Sequence, residues 1–506
     1  MKKISSSISL SQFHKIVLII AFFFYLITAI HSKGYFHYDE HYQIIEFADL
    51  KLGLNAPSDL AWEYEAQIRP AIQPAICVVI FKTLHYLGVT DAYTLILSLR
   101  LLTLLISLTA INLFVRSSLH LVRPDQQKLY ILLSYFLWFL PFLNVRFSSE
   151  SWSGIFFIFA VAVLQQNLSE HKKSFALAGL LLGFSFLCRF QSAFLIAGLL
   201  AWYSLIHNTS KKNIGVVIGA ACFVLLLGVA IDSWFYETFV FTPWNYFNIN
   251  ILKGAASAFG ISPWYYYIEM ILNATVLPVG CFILGCLWIL IFKKPKLLLL
   301  WVILPFLIIH SFIPHKEDRF LFPLINFVPL LIVLGWQEIR IKYLINSSSR
   351  VRKLMIFIIA GCLIAINTIG ITIMAFRSMG NGTKTITYYI HQNYREKPVN
   401  LIYDTYTNPY NPLYRLDLKE TFYTDKNVRE INMQELLKNK KKQFNKNETT
   451  LFVIETGSAD YPDNAEIIKR FKLKPKIQSI PEWMGWVYDY DCYFKNDNVL
   501  MLYGNQ

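Results

Sequence analysis

The stretch "LLLLWVILPFLIIHSFIPHKEDRFLFPLINFVPLLIVLGW", Leu297 to Trp336, decides the fold class. It holds two runs apolar enough to sit in a membrane. Between them stand His315, Lys316, Glu317, Asp318 and Arg319 without interruption. A spanning helix needs about 20 mostly apolar residues, and runs of that kind recur along the whole chain. Of its 506 residues 55% are hydrophobic and 16% are charged, against about 25% charged in soluble domains. The alternating ~10-residue segments of a membrane barrel are missing. The reading is an α-helical polytopic membrane protein with about eleven transmembrane helices. The expected spans are 15–31, 91–115, 128–145, 151–167, 174–188, 190–207, 213–231, 266–292, 297–314, 320–337 and 354–376.

The net charge of +14 does not point to nucleic acid. The basic residues fall in short runs between apolar segments: "HKK" at 171–173, "SKK" at 210–212, "KKPK" at 293–296 and "RVRK" at 350–353. Cytoplasmic loops carry such runs. A further apolar run, "AIQPAICVVIFKTLHYLG" (71–88), contains Lys82 and His85. If it spans, every later loop inverts and the basic runs face the wrong side. It is therefore expected to lie in or on the outer surface without crossing. The N-terminus is then cytoplasmic, and the first apolar segment is an uncleaved span, since no small-residue cleavage site follows Ala29. Six of the seven Cys lie in apolar runs and only Cys492 lies in the polar tail, so no disulfide framework or metal motif is readable.

This topology puts residues 32–90, 232–265, the loop around "PHKEDR" and the tail outside. The chain divides into a membrane module, 1–377, and an extracytoplasmic domain, 378–506. Short apolar runs in the tail, "VNLIYDT", "TLFVIETG" and "NVLMLYG", with the helix-like "INMQELLKNKKKQF" between them, predict a small α/β domain. Its single Cys, Cys492, suits the outer face of a bacterial inner membrane, with no disulfide needed.

Ionisable side chains near a bilayer are costly and tend to pair or line polar cavities. By the parity argument several share the outer side. Asp39 and Glu40 open an amphipathic segment, "EHYQIIEFADLKLG", expected to lie along the membrane and to close at Gly53. Arg146 and Glu150 stand in "NVRFSSESW", Arg189 in "FLCRFQSAF", and Asp232 heads an outer loop. Arg146 with Glu150, or Arg189 with Asp232, are candidate ion pairs. The basic groups of 315–319 suit an anionic lipid head group, and Asp39 or Glu40 could supply a carboxylate base on the same surface. These acids and cations are expected to converge in one cleft.

At these residues the sequence resembles the family 22 glycosyltransferases of the GT-C superfamily. "HKEDRF" (315–320) matches that family's His-Lys-Glu-x-Arg-Phe motif. "HYDE" (37–40) matches its first-loop His-Pro-Asp-Glu with Tyr38 in place of proline. Weaker echoes are "WEYEAQIRP" (62–70), "RFSSES" (146–151), "CRFQS" (188–192), "DSWFY" (232–236), "TPWNYFNIN" (242–250) and "GISPWYYY" (260–267). The resemblance covers roughly 30–325 and implies a GT-C fold. It also implies inverting transfer of a hexose, mannose, from a polyprenyl-phosphate donor to a hydroxyl of a lipid-linked or cell-surface glycan. On this resemblance Asp39 is the base, with Glu40 in reserve. His315, Lys316, Arg319 and Arg189 steady the leaving phosphate, supported by Glu317, Arg146, Glu150 and Asp232. Glu317 orients Arg319 or Lys316. Trp244, Tyr246, Trp264 and Tyr265 are candidates to stack on sugar rings, though interfacial aromatics occupy such positions too. No cofactor is assigned. Asp39, Glu40 and His41 offer a weak divalent-metal pattern.

Two other classes fit parts of the sequence. One is a GT-C transferase for arabinose, an aminosugar or protein O-mannosylation. The other is a lipid transporter or flippase, which would show repeat symmetry and charge deep in several helices; here charge gathers on one side.

Overall fold

Glycines and prolines set where the helices of this chain meet and stop. The computed structural model describes residues 8–166, 172–340, 350–411, 420–440, 443–445, 448–486 and 499–505. Cys492 and parts of the basic loops 168–173 and 338–353 lie outside the described residues. Among the described residues five helices are long and apolar enough to cross a membrane: Leu10–His31, Ala92–Leu121, Lys211–Tyr236, Asp318–Arg340 and Leu354–Phe376. The pair Leu277–Lys293 and Leu298–Phe312, bent by 118°, makes six if taken as one span. The reading of about eleven spans also counted shorter apolar helices, such as Lys172–Cys188 and Ala193–Leu205. A 13-residue helix is about 20 Å long, short of the ~30 Å hydrocarbon core.

Two expected spans are interrupted. Segment 128–145 is α-helical only from Gln127 to Phe136 and resumes as one turn, Leu140–Leu143, around Pro141. Segment 266–292 breaks between Tyr266–Ala274 and Leu277–Lys293, where Val276 sits at φ +67°, two residues before Pro278. That conformation is strained for a β-branched residue. The run 71–88 forms a 15-residue helix, Ile72–Tyr86, below spanning length.

The chain clusters into two compact units. One comprises 1–29, 66–73 and 99–375; the other comprises 30–65, 74–98 and 376–506. In the first, helix Lys172–Cys188 packs on Lys211–Tyr236 through small residues. A Cβ added at Gly179 would lie 2.3 Å from the Val217 carbonyl oxygen, and one at Gly183 would lie 2.6 Å from the Val224 Cβ. This is close glycine-mediated packing of membrane helices. Helix Ser149–Gln166 meets the stretch after the charged loop in the same way: a Cβ at Gly154 would come within 2.7 Å of Pro323 Cα. That stretch, Asp318–Phe327, is a ten-residue 3₁₀ helix, long for this geometry. Asn144 and Asn326 exchange amide hydrogen bonds of 2.9 and 3.0 Å beside it.

In the second unit, strands β1 (Val399–Tyr403), β2 (Val428–Asn432), β3 (Thr449–Glu455), β4 (Lys474–Gln478) and β5 (Leu500–Gly504) form one sheet of order β2-β1-β3-β5-β4. β1 is parallel to β2 and β3, while β5 is antiparallel to β3 and β4. Alternation covers both faces. Leu401, Leu451, Val453 and Leu502 pack with Ile386 and Ile390 of helix Thr383–Tyr394; Ile402, Ile431 and Phe452 pack with Leu436 and Ile467. The segment 41–52, expected on the membrane surface, is instead interior: all nine residues from His41 to Asp49 are buried. It starts as a π-helical turn, His41–Ile45, continues as Glu46–Leu52, and ends at left-handed Gly53, φ +75°.

Candidate active site

In the first unit, Pro314 stops helix Leu298–Phe312 and the chain turns through the charged loop. Lys316 is buried and donates from Nζ to the carbonyls of Ser262 (2.8 Å), Ile313 (2.6 Å) and Pro314 (3.5 Å). It therefore satisfies the helix end and pins the loop. His315 places Nε2 at 2.8 Å from Glu317 Oε1 and Nδ1 at 3.2 Å from the Gly260 carbonyl.

Arg319 is held from two sides. Its Nε and Nη2 donate to Glu317 at 2.5 and 3.1 Å, and its Nη1 donates to Glu150 Oε1 at 3.1 Å. Glu317 thus bonds both Arg319 and His315. Arg189 Nη1 reaches the same Glu150 oxygen at 3.1 Å. Both guanidiniums lie over Phe320, 4.9 and 5.5 Å from its centroid. Arg189, Glu150 and Arg319 are all buried. The pairing corrects the alternative of Arg189 with Asp232. Glu150 stands in the first turn of Ser149–Gln166, the helix that packs against Lys172–Cys188 and so meets Arg189 at that helix's end. Asp232 instead accepts from the Ala71 N–H (2.7 Å) and the Thr242 hydroxyl (2.5 Å). Arg146 is buried with its guanidinium 5.9 Å from the Phe142 ring. Trp244, Trp264 and Tyr265 are exposed. Tyr246 accepts a 2.5 Å bond from Gln191 and has its ring 5.5 Å from Phe190.

In the second unit, Asp39 is partly exposed, with Oδ1 at 3.5 Å from His37 Nδ1, and Glu40 is buried. Next to them is a polar core that sequence reading missed. His41 is stacked between Tyr35 (5.2 Å) and Tyr423 (5.5 Å). Its Nε2 faces Glu46 at 2.9 Å and Glu420 at 3.7 Å. Glu420 forms an ion pair with the buried Lys384. Glu46 also accepts from Thr421 (2.6 Å), the Phe422 N–H (3.2 Å) and Asn55 (3.0 Å). Burial pushes the Glu46 carboxyl up, but His41 and these donors outweigh it and hold it below its ordinary value. Burial lowers the Lys384 ammonium against the pull of Glu420. Burial, with the Glu46 charge, pushes Asp49 up to about 8. The available signal was Lys384 at helical spacing with Thr387 and His391, all on the buried face. Since His41 faces two carboxylates, the 39–41 pattern is not a metal site of three free ligands. Among the described residues no group of three His, Cys, Asp or Glu could hold a metal ion.

The Alg9-like mannosyltransferase family model matches residues 16–414, most of the chain. The chain belongs to the Alg9-like mannosyltransferase family. Similar members include GPI mannosyltransferase 3 of Debaryomyces hansenii, 24% identical over 342 residues, 65% of this chain and 60% of that one. GPI alpha-1,2-mannosyltransferase 3 of Danio rerio is 26% identical over 289 residues, 55% of this chain and 52% of that one. The match thus spans between half and two thirds of those two relatives' own length. Among solved structures, ArnT from Cupriavidus metallidurans bound to undecaprenyl phosphate aligns with a TM-score of 0.47 and 11% identity, covering 97% of this chain and 98% of that one. Within this Alg9-like chain, Glu420, Thr421 and Tyr423 lie beyond the stretch that the family model matches.

Proposed function

We propose that this protein is an inverting membrane mannosyltransferase. It moves mannose from a polyprenyl-phosphate donor to a hydroxyl of a lipid-linked or cell-surface glycan at the extracytoplasmic face. The observation that carries the reading is the "HKEDRF" motif, folded so that Arg319 and Arg189 share one buried carboxylate, in a chain of the Alg9-like family. Two fixed guanidiniums suit the charge that grows on a departing phosphate, because donors already oriented need no reorganisation during the reaction. In the step, the acceptor oxygen forms a bond to the anomeric carbon on the face opposite the phosphate. The bond from that carbon to the phosphate oxygen breaks, and polyprenyl phosphate leaves with the electron pair. Asp39 takes the proton of the attacking hydroxyl; Glu40, more deeply buried, is the reserve. Lys316 and Glu317 position the loop and Arg319. The relatives' names, which specify mannosyl transfer, support the choice of sugar.

The test is to incubate the purified protein in lipid vesicles with polyprenyl-phosphate mannose and lipid extract, and to identify products by mass spectrometry. One added hexose, with inverted anomeric configuration, is expected. Consumption of another polyprenyl-phosphate sugar in preference to mannose would overturn the donor assignment.

A further inference from the structure

Two buried side chains beside the motif keep hydrogen-bonding capacity unused among the described residues: Nε2 of His310 has no partner, and the Tyr267 hydroxyl, whose oxygen faces the Glu317 backbone N–H, has no acceptor for its own O–H. Each side chain is only 2% exposed. They share one neighbourhood. Their ring centroids are 6.5 Å apart, and His310 lies 6.4 Å from Phe320, the ring on which Arg189 is stacked. The charge of Arg189 acts on both groups. Tyr267 is held there by its neighbour: the Tyr266 hydroxyl donates to Asp318 at 2.7 Å and ties the start of helix Tyr266–Ala274 to the charged loop.

The chemistry of the pair is specific. His310 Nδ1 is 2.8 Å from the Phe306 carbonyl oxygen, which only accepts. Nδ1 therefore carries the proton and donates it, leaving Nε2 a bare acceptor. Tyr267 supplies an O–H donor. Phosphate oxygens ask for donors alone; a hydroxyl gives one hydrogen bond and takes one, and matches an acceptor beside a donor. Phe194, Phe306 and Phe320 surround His310 and suit the C–H surface of a sugar ring. Leaving the His310 nitrogen and the Tyr267 O–H buried and unmatched costs stability, as expected of groups kept for a ligand.

We propose that Tyr267 and His310 form a subsite for one carbohydrate hydroxyl and set sugar specificity. This rests on the reading of Arg189 and Arg319 as the phosphate side of the donor site. A site built to hydrogen-bond a hydroxyl rejects the analogue that lacks it, because its own polar groups are then left unpaired.

The experiment measures binding to the purified full chain in lipid nanodiscs. One arm uses polyprenyl-phosphate mannose and its four monodeoxy analogues; the other uses methyl mannoside and its monodeoxy forms without donor. The wild type should bind one deoxy form at least ~10-fold more weakly than its parent. In Tyr267→Phe, and in His310→Asn, which keeps a δ-position N–H, that preference should collapse through loss of the parent alone. The arm in which it collapses identifies the hydroxyl as the donor's or the acceptor's. Tyr267→Phe should melt at or above the wild-type temperature. Preferences unchanged in both arms, as expected if water alone fills the site, overturn the proposal. So does equal weakening of every ligand, or a Tyr267→Phe melting point several degrees lower. Arg319→Lys is run alongside: unchanged donor affinity there ends the phosphate reading, while the deoxy preferences still decide the hydroxyl subsite.

Discussion

Arg319 shows how much of the site rests on single side chains. Its guanidinium binds Glu317 through two nitrogens and Glu150 through a third, a geometry that lysine cannot copy. Arg319→Lys should therefore raise the donor KM about tenfold or more, with a smaller effect on the acceptor KM, read from initial rates against each substrate. Asp39→Asn should lower kcat by about 10²–10⁴, the usual contribution of a general base, with normal protein levels and membrane insertion. An active Asp39→Asn enzyme would exclude Asp39 as the base. Asp49 tests the buried electrostatics of the second unit. Its carboxyl is pushed from 3.8 up to about 8, so between those pH values the folded state holds a proton that the unfolded state lacks. Its contribution to stability therefore falls as pH rises from about 4 to about 8. Asp49→Asn removes that slope: the variant should match the wild type near pH 4 and exceed it by about 2–5 kcal/mol at pH 8, measured by denaturant unfolding at both pH values.

At the scale of elements, the packing of Gly154 on Pro323 decides where Glu150 meets Arg319. The Cβ of Gly154→Ala would approach Pro323 backbone atoms, which cannot swing away as a side-chain end can. Overpacking of this kind costs about 1–3 kcal/mol. The variant should melt lower and bind donor more weakly, since helix Ser149–Gln166 carries Glu150. The Lys384–Glu420 pair plays a similar part in the second unit. Removing one partner of a buried ion pair costs about 3–5 kcal/mol by leaving the other uncompensated. Lys384→Met alone should be more damaging than Lys384→Met combined with Glu420→Gln, and a double-mutant cycle of melting curves checks it. Strands β1, β3 and β5 were legible in the sequence as apolar runs. β2 ("VREIN") and β4 ("KPKIQ") were not: they are the sheet's edges, and charged residues on edge strands mask the alternation that reveals a strand.

For the whole molecule, the expectation that carries most is orientation. Reporter fusions after His120 and Ser210 should report the cytoplasmic side, and one after Gly380 the outer side; any reversal among these three breaks the positive-inside argument. The membrane character of the chain and the charged loop between two apolar runs follow from composition and local order, because hydrophobic transfer depends on which residues are present and on the length of each run. The pairings do not follow. That Glu150 serves Arg189 and Arg319 while Asp232 ties down Ala71 and Thr242, that Lys316 caps a helix end, and that His41 meets Glu420 far along the chain are contacts between distant positions. The sequence by itself determined the class of the molecule, its "HKEDRF" motif and most of the candidate charges. Only the tertiary structure decided which charge meets which, because a buried ionic contact is set by the close approach of backbones, and no local pattern records that.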